Sequence, residues 1–165
     1  MLLWFLGTGI ATVWFVFRDP RFDYRVLALG LLLPDAVDGL TGGSSVLHSL
    51  AGSVGLMVVV MVATVGRRAA RRRWLALPIG TFLHLVFDGA FANAEAFWWP
   101  FTGLGFGDEP LPVVARGWWN VPLELAGLAV LVIGWRRLGL RRATERSAFV
   151  RTGQLAAPQG GAATC

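Results

Sequence analysis

The sequence predicts an all-α fold: a polytopic integral membrane bundle of about five transmembrane helices, with the N-terminus outside and the C-terminus inside. Three observations point there. The chain is 55% hydrophobic over 165 residues, with a mean hydropathy of +0.59, which is high for a soluble domain. Its apolar residues come in runs long enough to enter hydrocarbon. Its arginines collect in clusters between those runs.

The first run is Met1 to Phe17. It has no basic residue ahead of it and no small-x-small cleavage site before Arg18, so it reads as a span rather than a signal peptide. The second starts near Arg25 and continues through "VLALGLLLPDAVDGL". The third is "VLHSLAGSVGLMVVVMVATV", Val46 to Val65; the fourth runs from Trp74 to about Asn93; the fifth runs from Val121 to about Trp135. A helical span takes about 20 residues, with about 17 as a lower limit. The third and fourth runs meet this, the first and fifth are short, and the second is interrupted by Pro34 and two aspartates. A four-span alternative makes the second run re-entrant.

Arginine position sets the orientation. Arg18, Arg21 and Arg25 follow the first run; Arg67, Arg68, Arg71, Arg72 and Arg73 separate the third from the fourth; Arg136, Arg137, Arg141, Arg142, Arg146 and Arg151 follow the fifth. Five spans put all of these on the cytoplasmic side and leave Arg116 alone outside. The net charge is +5. Because the arginines flank apolar runs, their expected partners are the anionic lipids of the bilayer. No aromatic-basic interleaving of the kind that binds single-stranded nucleic acid is present. Trp98, Trp99, Trp118 and Trp119 bracket the outer loop, and Trp74 and Trp135 mark the inner face, as an aromatic belt does. The loop from Glu95 to Asn120, rich in Gly and Pro, is expected to be ordered by packing rather than by regular structure. The expected organisation is a transmembrane helical domain over 1–151 and a disordered tail over 152–165. The single cysteine, Cys165, excludes an internal disulfide and a Cys-based metal site.

Acidic residues follow the opposite distribution. Asp35, Asp38, Asp88, Glu95, Asp108, Glu109 and Glu124 fall in the outer half or the outer loop, and both histidines, His48 and His84, lie in spans. At a rise of about 1.5 Å per residue from the inner boundary, Asp35 and His84 lie about 15 Å up, Asp38, Asp88 and Glu124 about 18–21 Å, and His48 about 27 Å. His48 therefore needs a tilted helix or an inward-dipping "TGGSS" loop to join the rest. His84 and Asp88 are four residues apart and share a helix face; Asp35 and Asp38, three apart, do the same. Pro34 frees backbone groups, which is tolerated at membrane depth only against protein or a wet cavity. Singly, each group has a structural explanation: an interhelical hydrogen bond for a histidine, or a favourable helix-start position for Glu124 after Pro122. Together, two histidines and three aspartates at membrane depth with no basic residue there require a cation to neutralise them. Mixed His/carboxylate ligation suits Zn²⁺, Mn²⁺ or Fe²⁺.

The pieces "GLLLPDAVD", "LHS", "FLHLVFDG" and "FWWPF", in that order over about residues 25 to 101, resemble the motifs of the YdjM-type bacterial inner-membrane proteins, a family of predicted metal-dependent hydrolases. The resemblance implies a multi-pass protein of the bacterial plasma (inner) membrane, with Asp35, Asp38, His48, His84 and Asp88 as metal ligands. One histidine of the family's fuller run is missing here, and the second acid stands three residues after the first rather than two. The site then holds one metal rather than two, or Glu124 or Glu95 completes it.

The functional expectation is a metal-dependent hydrolase, its divalent ion opening to the outer face, acting on a lipid, lipid-linked or envelope substrate, with Asp38 or Glu124 as general base. The alternative is a non-enzymatic membrane protein whose buried polar residues serve helix packing or ion binding. A b-type cytochrome using both histidines is a further possibility, disfavoured by their depth mismatch. No serine-triad motif, P-loop or dinucleotide fingerprint is present.

Overall fold

The computed structural model describes residues 1–41, 46–105 and 116–155. Among these the chain is helical throughout, with no strand: α1 Leu2–Phe17, α2 Tyr24–Thr41, α3 Leu50–Ala63, α4 Arg68–Trp74, α5 Ala76–Asp88, α6 Ala94–Phe97, α7 Asn120–Arg137 and α8 Ala143–Thr152, with single 3-10 turns at Val46–His48, Ala90–Ala92 and Gly117–Trp119. Each of the five apolar runs contains one of the helices α1, α2, α3, α5 and α7. The stretch Gly117–Arg137 is, among the described residues, the one helix long and apolar enough to cross a membrane; α1 and α3 are shorter apolar helices.

Three boundaries differ from expectation, each for a local reason. The third run is helical only from Leu50, because the Ser49 side chain accepts from the Gly52 backbone N–H at 2.9 Å and caps α3 there. The fourth run stops at Asp88, because Gly89 takes the left-handed conformation (φ 68°) that ends a helix. The second run agrees with the expected segment, being one helix, Tyr24–Thr41, through Pro34. The start of the expected disordered tail is packed: Leu155 is buried, and the Gly153 carbonyl accepts from the Tyr24 N–H at 2.8 Å. Residues 156–165 lie outside the described residues, as do the "GGSS" of the first loop, Asp108 and Glu109.

Two backbone contacts hold the bundle. Helices α2 and α5 meet where Gly30 and Gly80 face one another, and a Cβ on Gly80 would lie 2.5 Å from the Leu27 carbonyl oxygen. Helices α1 and α7 meet where a Cβ on Gly7 would lie 2.5 Å from the Gly127 carbonyl oxygen. Small residues let main chains approach to van der Waals contact, which is how helices associate where no water drives them together. Around these contacts, Phe5, Val13, Leu27, Leu31 and Ala76 form an apolar centre. The outside is apolar as well: Val58, Val59 and Val62 on α3 and Leu125 and Ile133 on α7 are more than half exposed, whereas Ser49, Ser53, Thr81, His84, Asp38 and Asp88 are buried. Buried polar side chains and exposed apolar ones are the informative departures from a soluble pattern.

The arginine-rich end is closed by Asp23. Its Oδ2 pairs with Arg25 Nη2 at 3.0 Å and with Arg73 Nε at 3.1 Å, and its Oδ1 accepts from the backbone N–H groups of Arg25 and Val26. Arg25 Nη1 also donates to the Val150 carbonyl at 2.5 Å. One carboxylate thus links the start of α2 to α4, and its arginine partner reaches α8.

Two outcomes follow. Gly80→Val forces α2 and α5 apart and lowers stability by at least about 1–3 kcal/mol, read as an earlier thermal unfolding midpoint in detergent. Burial raises the Asp23 carboxyl, but the Arg25 guanidinium and the two backbone donors outweigh it, so the group titrates below its ordinary value of 3.8. A depressed carboxyl stabilises the fold above its unfolded pKa and loses that contribution as pH falls through the folded one. Asp23→Asn therefore lowers the unfolding midpoint at pH 7, and its difference from the wild type shrinks as the medium is taken below about pH 4. A difference independent of pH contradicts this account.

Candidate metal centre

Three elements deliver the functional side chains. Helix α2 carries Asp35 and Asp38 one turn apart, α5 carries His84 and Asp88 one turn apart, and the 3-10 turn Val46–His48 carries His48. The helical periodicity that places each pair on one face also turns both faces toward each other across the Gly30–Gly80 contact. Pro34 contributes by what it lacks. Without an N–H it leaves the Gly30 carbonyl without its helical donor, and Thr81 Oγ lies 3.4 Å from that oxygen and 3.2 Å from the Leu77 carbonyl.

His84 is fully buried, with the Phe5 ring against its face at a centroid distance of 4.1 Å. Its Nδ1 lies 2.8 Å from the Leu31 carbonyl oxygen. A carbonyl only accepts, so Nδ1 is the protonated nitrogen and donates, and Nε2 keeps its lone pair. On His48, Nδ1 is 2.8 Å from Asp38 Oδ2. The two Nε2 atoms then face one another at 3.3 Å. Asp35 Oδ1 is 3.4 Å from His84 Nε2 and 4.0 Å from His48 Nε2. Two lone pairs and a carboxylate oxygen at these separations repel unless a proton or a cation stands among them.

The donor set fits a metal ion. Asp35, His48 and His84 each offer one ligand atom, all within 4.8 Å of one another. Tetrahedral bonds of about 2.0–2.1 Å place neighbouring ligand atoms about 3.3–3.4 Å apart, and two of the three separations have that value. The backing of His48 by Asp38 and of His84 by a main-chain carbonyl is the outer-shell arrangement that fixes tautomer and ring orientation at metal sites. The same 3.3 Å leaves no room for a porphyrin between the rings, which removes the cytochrome alternative. Asp35 is the outlet of the cluster: its side chain is 32% exposed, against 4% or less for His48, Asp38, His84 and Asp88.

The remaining site residues separate by their contacts. Asp88 Oδ2 lies 4.0 Å from His48 Nε2, close to the donor atoms but outside the group of three. Asp38 faces the far nitrogen of His48, so it orients a ligand instead of serving as one or as the general base. Glu124 also departs from the role of base: its Oε2 accepts from the Leu3 N–H at 2.9 Å, supplying an acceptor to the first turn of α1, and its Oε1 lies 3.8 Å from the Met1 amino group. Glu95 is exposed on α6 and has no part in the centre.

One functional residue escaped the sequence. The expectation that no basic group stands beside the acids is corrected by Arg116, whose Nη1 donates to the Asp88 carbonyl at 2.6 Å and whose Nη2 pairs with Asp88 Oδ1. The available signal was its isolation: it is the arginine outside the three basic clusters.

No protein-family model, no curated protein and no solved structure matches this chain, so its chemistry rests on this geometry.

Proposed function

We propose that this chain is a multi-pass protein of a bacterial plasma membrane that holds one divalent cation between Asp35, His48 and His84 and acts as a metal-dependent hydrolase on a lipid or lipid-linked envelope substrate. The observation that carries the reading is the convergence of one ligand atom each from Asp35, His48 and His84 within 4.8 Å of one another in a buried site. Membership of the YdjM-type group belongs to the same proposal, since the residues behind that resemblance are the ones that converge.

The membrane part rests on the apolar exterior and the buried polar interior. Exposed valines and leucines on α3 and α7 suit acyl chains, and the arginines, all but Arg116, lie beyond the apolar runs where headgroups attract them. Helices α1, α2, α3, α5 and α7 are the five spans in this reading. Helix α5 alone, at 13 residues, covers about 20 Å; α4 lengthens it toward the inner surface with a break only at Leu75.

A bound divalent cation supplies Lewis acidity and a water whose pKa is brought toward neutrality. The chain's own groups do the rest. The Leu31 carbonyl and Asp38 hold the imidazoles in the orientation that binds. Asp88 Oδ2, close to the donor atoms while its other oxygen is held by Arg116, is the atom that accepts a proton. Substrate reaches the centre past Asp35.

Elemental analysis of protein purified in detergent is expected to find about one equivalent of Zn, Mn or Fe, and His48→Ala and His84→Ala to lose at least nine-tenths of it. Asp38→Asn is expected to weaken metal affinity about 10–100-fold. Metal content unchanged by these substitutions, or its absence from a protein as stable as before, returns the cluster to a packing role. Orientation is checked in intact cells carrying Cys165→Ser: an impermeant maleimide labels Phe101→Cys and leaves Arg146→Cys untouched, and the reverse pattern contradicts the topology.

A further inference from the structure

Arg116 is poorly explained by Asp88 alone. A partly buried arginine is costly unless its donors are used, and this one spends two N–H groups on Asp88 while its Nε is buried without a partner among the described residues. Its side chain is 25% exposed, and Nε is the donor that Asp88 leaves unused. Its position in the chain is informative too. Trp118 and Trp119 follow directly and are 81% and 70% exposed; tryptophans so placed mark the headgroup level of a bilayer. The anion found at that level in every phospholipid and every phosphate-linked lipid carrier is a phosphoryl group. A planar guanidinium fork matches its oxygens, and remains charged at all working pH values.

We infer that Arg116 is the receptor for a phosphoryl group, and that the substrate class of the centre is a phosphate ester of a membrane lipid or lipid carrier. This rests on the metal reading above and extends it. Arg116 serves as a substrate-binding residue: one edge fixes Asp88, and the other holds a non-bridging phosphoryl oxygen beside the Asp35–His48–His84 donors. Guanidinium and cation then share the charge of the phosphoryl group, as clamps on transferring phosphoryl groups do.

The test uses full-length protein in detergent and two probes, inorganic phosphate and dihexanoyl phosphatidate, with binding followed by calorimetry and by the ³¹P shift. Metal-loaded wild type is expected to bind phosphatidate at least tenfold more tightly than Arg116→Gln, with Arg116→Lys, which keeps the charge and loses the fork, in between. Metal affinity changes less than threefold in both variants, and their unfolding midpoints show that they are folded. Binding of phosphatidate but not inorganic phosphate assigns the site to the lipid; Arg116-dependent binding of both assigns it to the phosphoryl group from either source. Equal binding by wild type and both variants, or no phosphate binding by a protein that does carry metal, overturns the inference. The two readings fail separately: Arg116-dependent phosphatidate binding in a protein that takes up no metal supports the receptor and removes the metal centre.

Discussion

The molecule is organised by a repulsion. Two imidazole lone pairs and a carboxylate oxygen converge inside a helical bundle, where unpaired polar groups are most expensive. Each imidazole is turned inward by a partner behind it, Leu31 O for His84 and Asp38 for His48. Were those partners absent, either ring could rotate or shift its proton and relieve the contact. With them in place, the three donor atoms are held where they could share a cation. Folding and ligand binding are thereby linked: whatever binds the native cluster and not the unfolded chain stabilises the bundle in proportion to its affinity.

That constraint sits on the tightest backbone contact of the fold. Helices α2 and α5 approach through glycines, so the Leu31 carbonyl and the His84 ring, one on each helix, meet within 2.8 Å. The same closeness lets Thr81 approach the Gly30 carbonyl that Pro34 leaves without a donor. A bulkier interface would move the two halves of the centre apart and expose that carbonyl together. Site geometry and helix packing are one structural feature here, and the Gly80 contact is its narrowest point.

Much of this was legible in the sequence, and what was missed has a common cause. Helical spacing put Asp35 with Asp38 and His84 with Asp88, and the apolar runs located the helices, since both follow from local periodicity. Within the first run, Gly7 and Gly9 meet Gly127 and Leu31. The placement of His48 was not legible, because a straight helix from Val46 carries it well above the other ligands. Ser49 ends that helix early, and the preceding 3-10 turn returns His48 to the cluster. Arg116 and Glu124 were misread because their partners, Asp88 and Leu3, are distant in sequence. Spacing identifies which residues share a face and is silent on which faces meet.

The distribution of arginine makes final sense in this light. From Val26 to Gly66 and from Trp74 to Ala115 the chain has none, so no arginine of either string competes for the ligands, and the cation beside Asp35 is the Met1 amino group, 4.0 Å from its Oδ2. An arginine within reach of Asp35 would neutralise the one ligand that opens to the exterior and occupy the place of the metal. Arg116 avoids that conflict by engaging Asp88 through one carboxylate oxygen and the main chain. It lowers the repulsion among the acids without filling the position among the nitrogens. A guanidinium placed this way leaves the space between Asp35, His48 and His84 open to a cation, as the proposed metal centre requires.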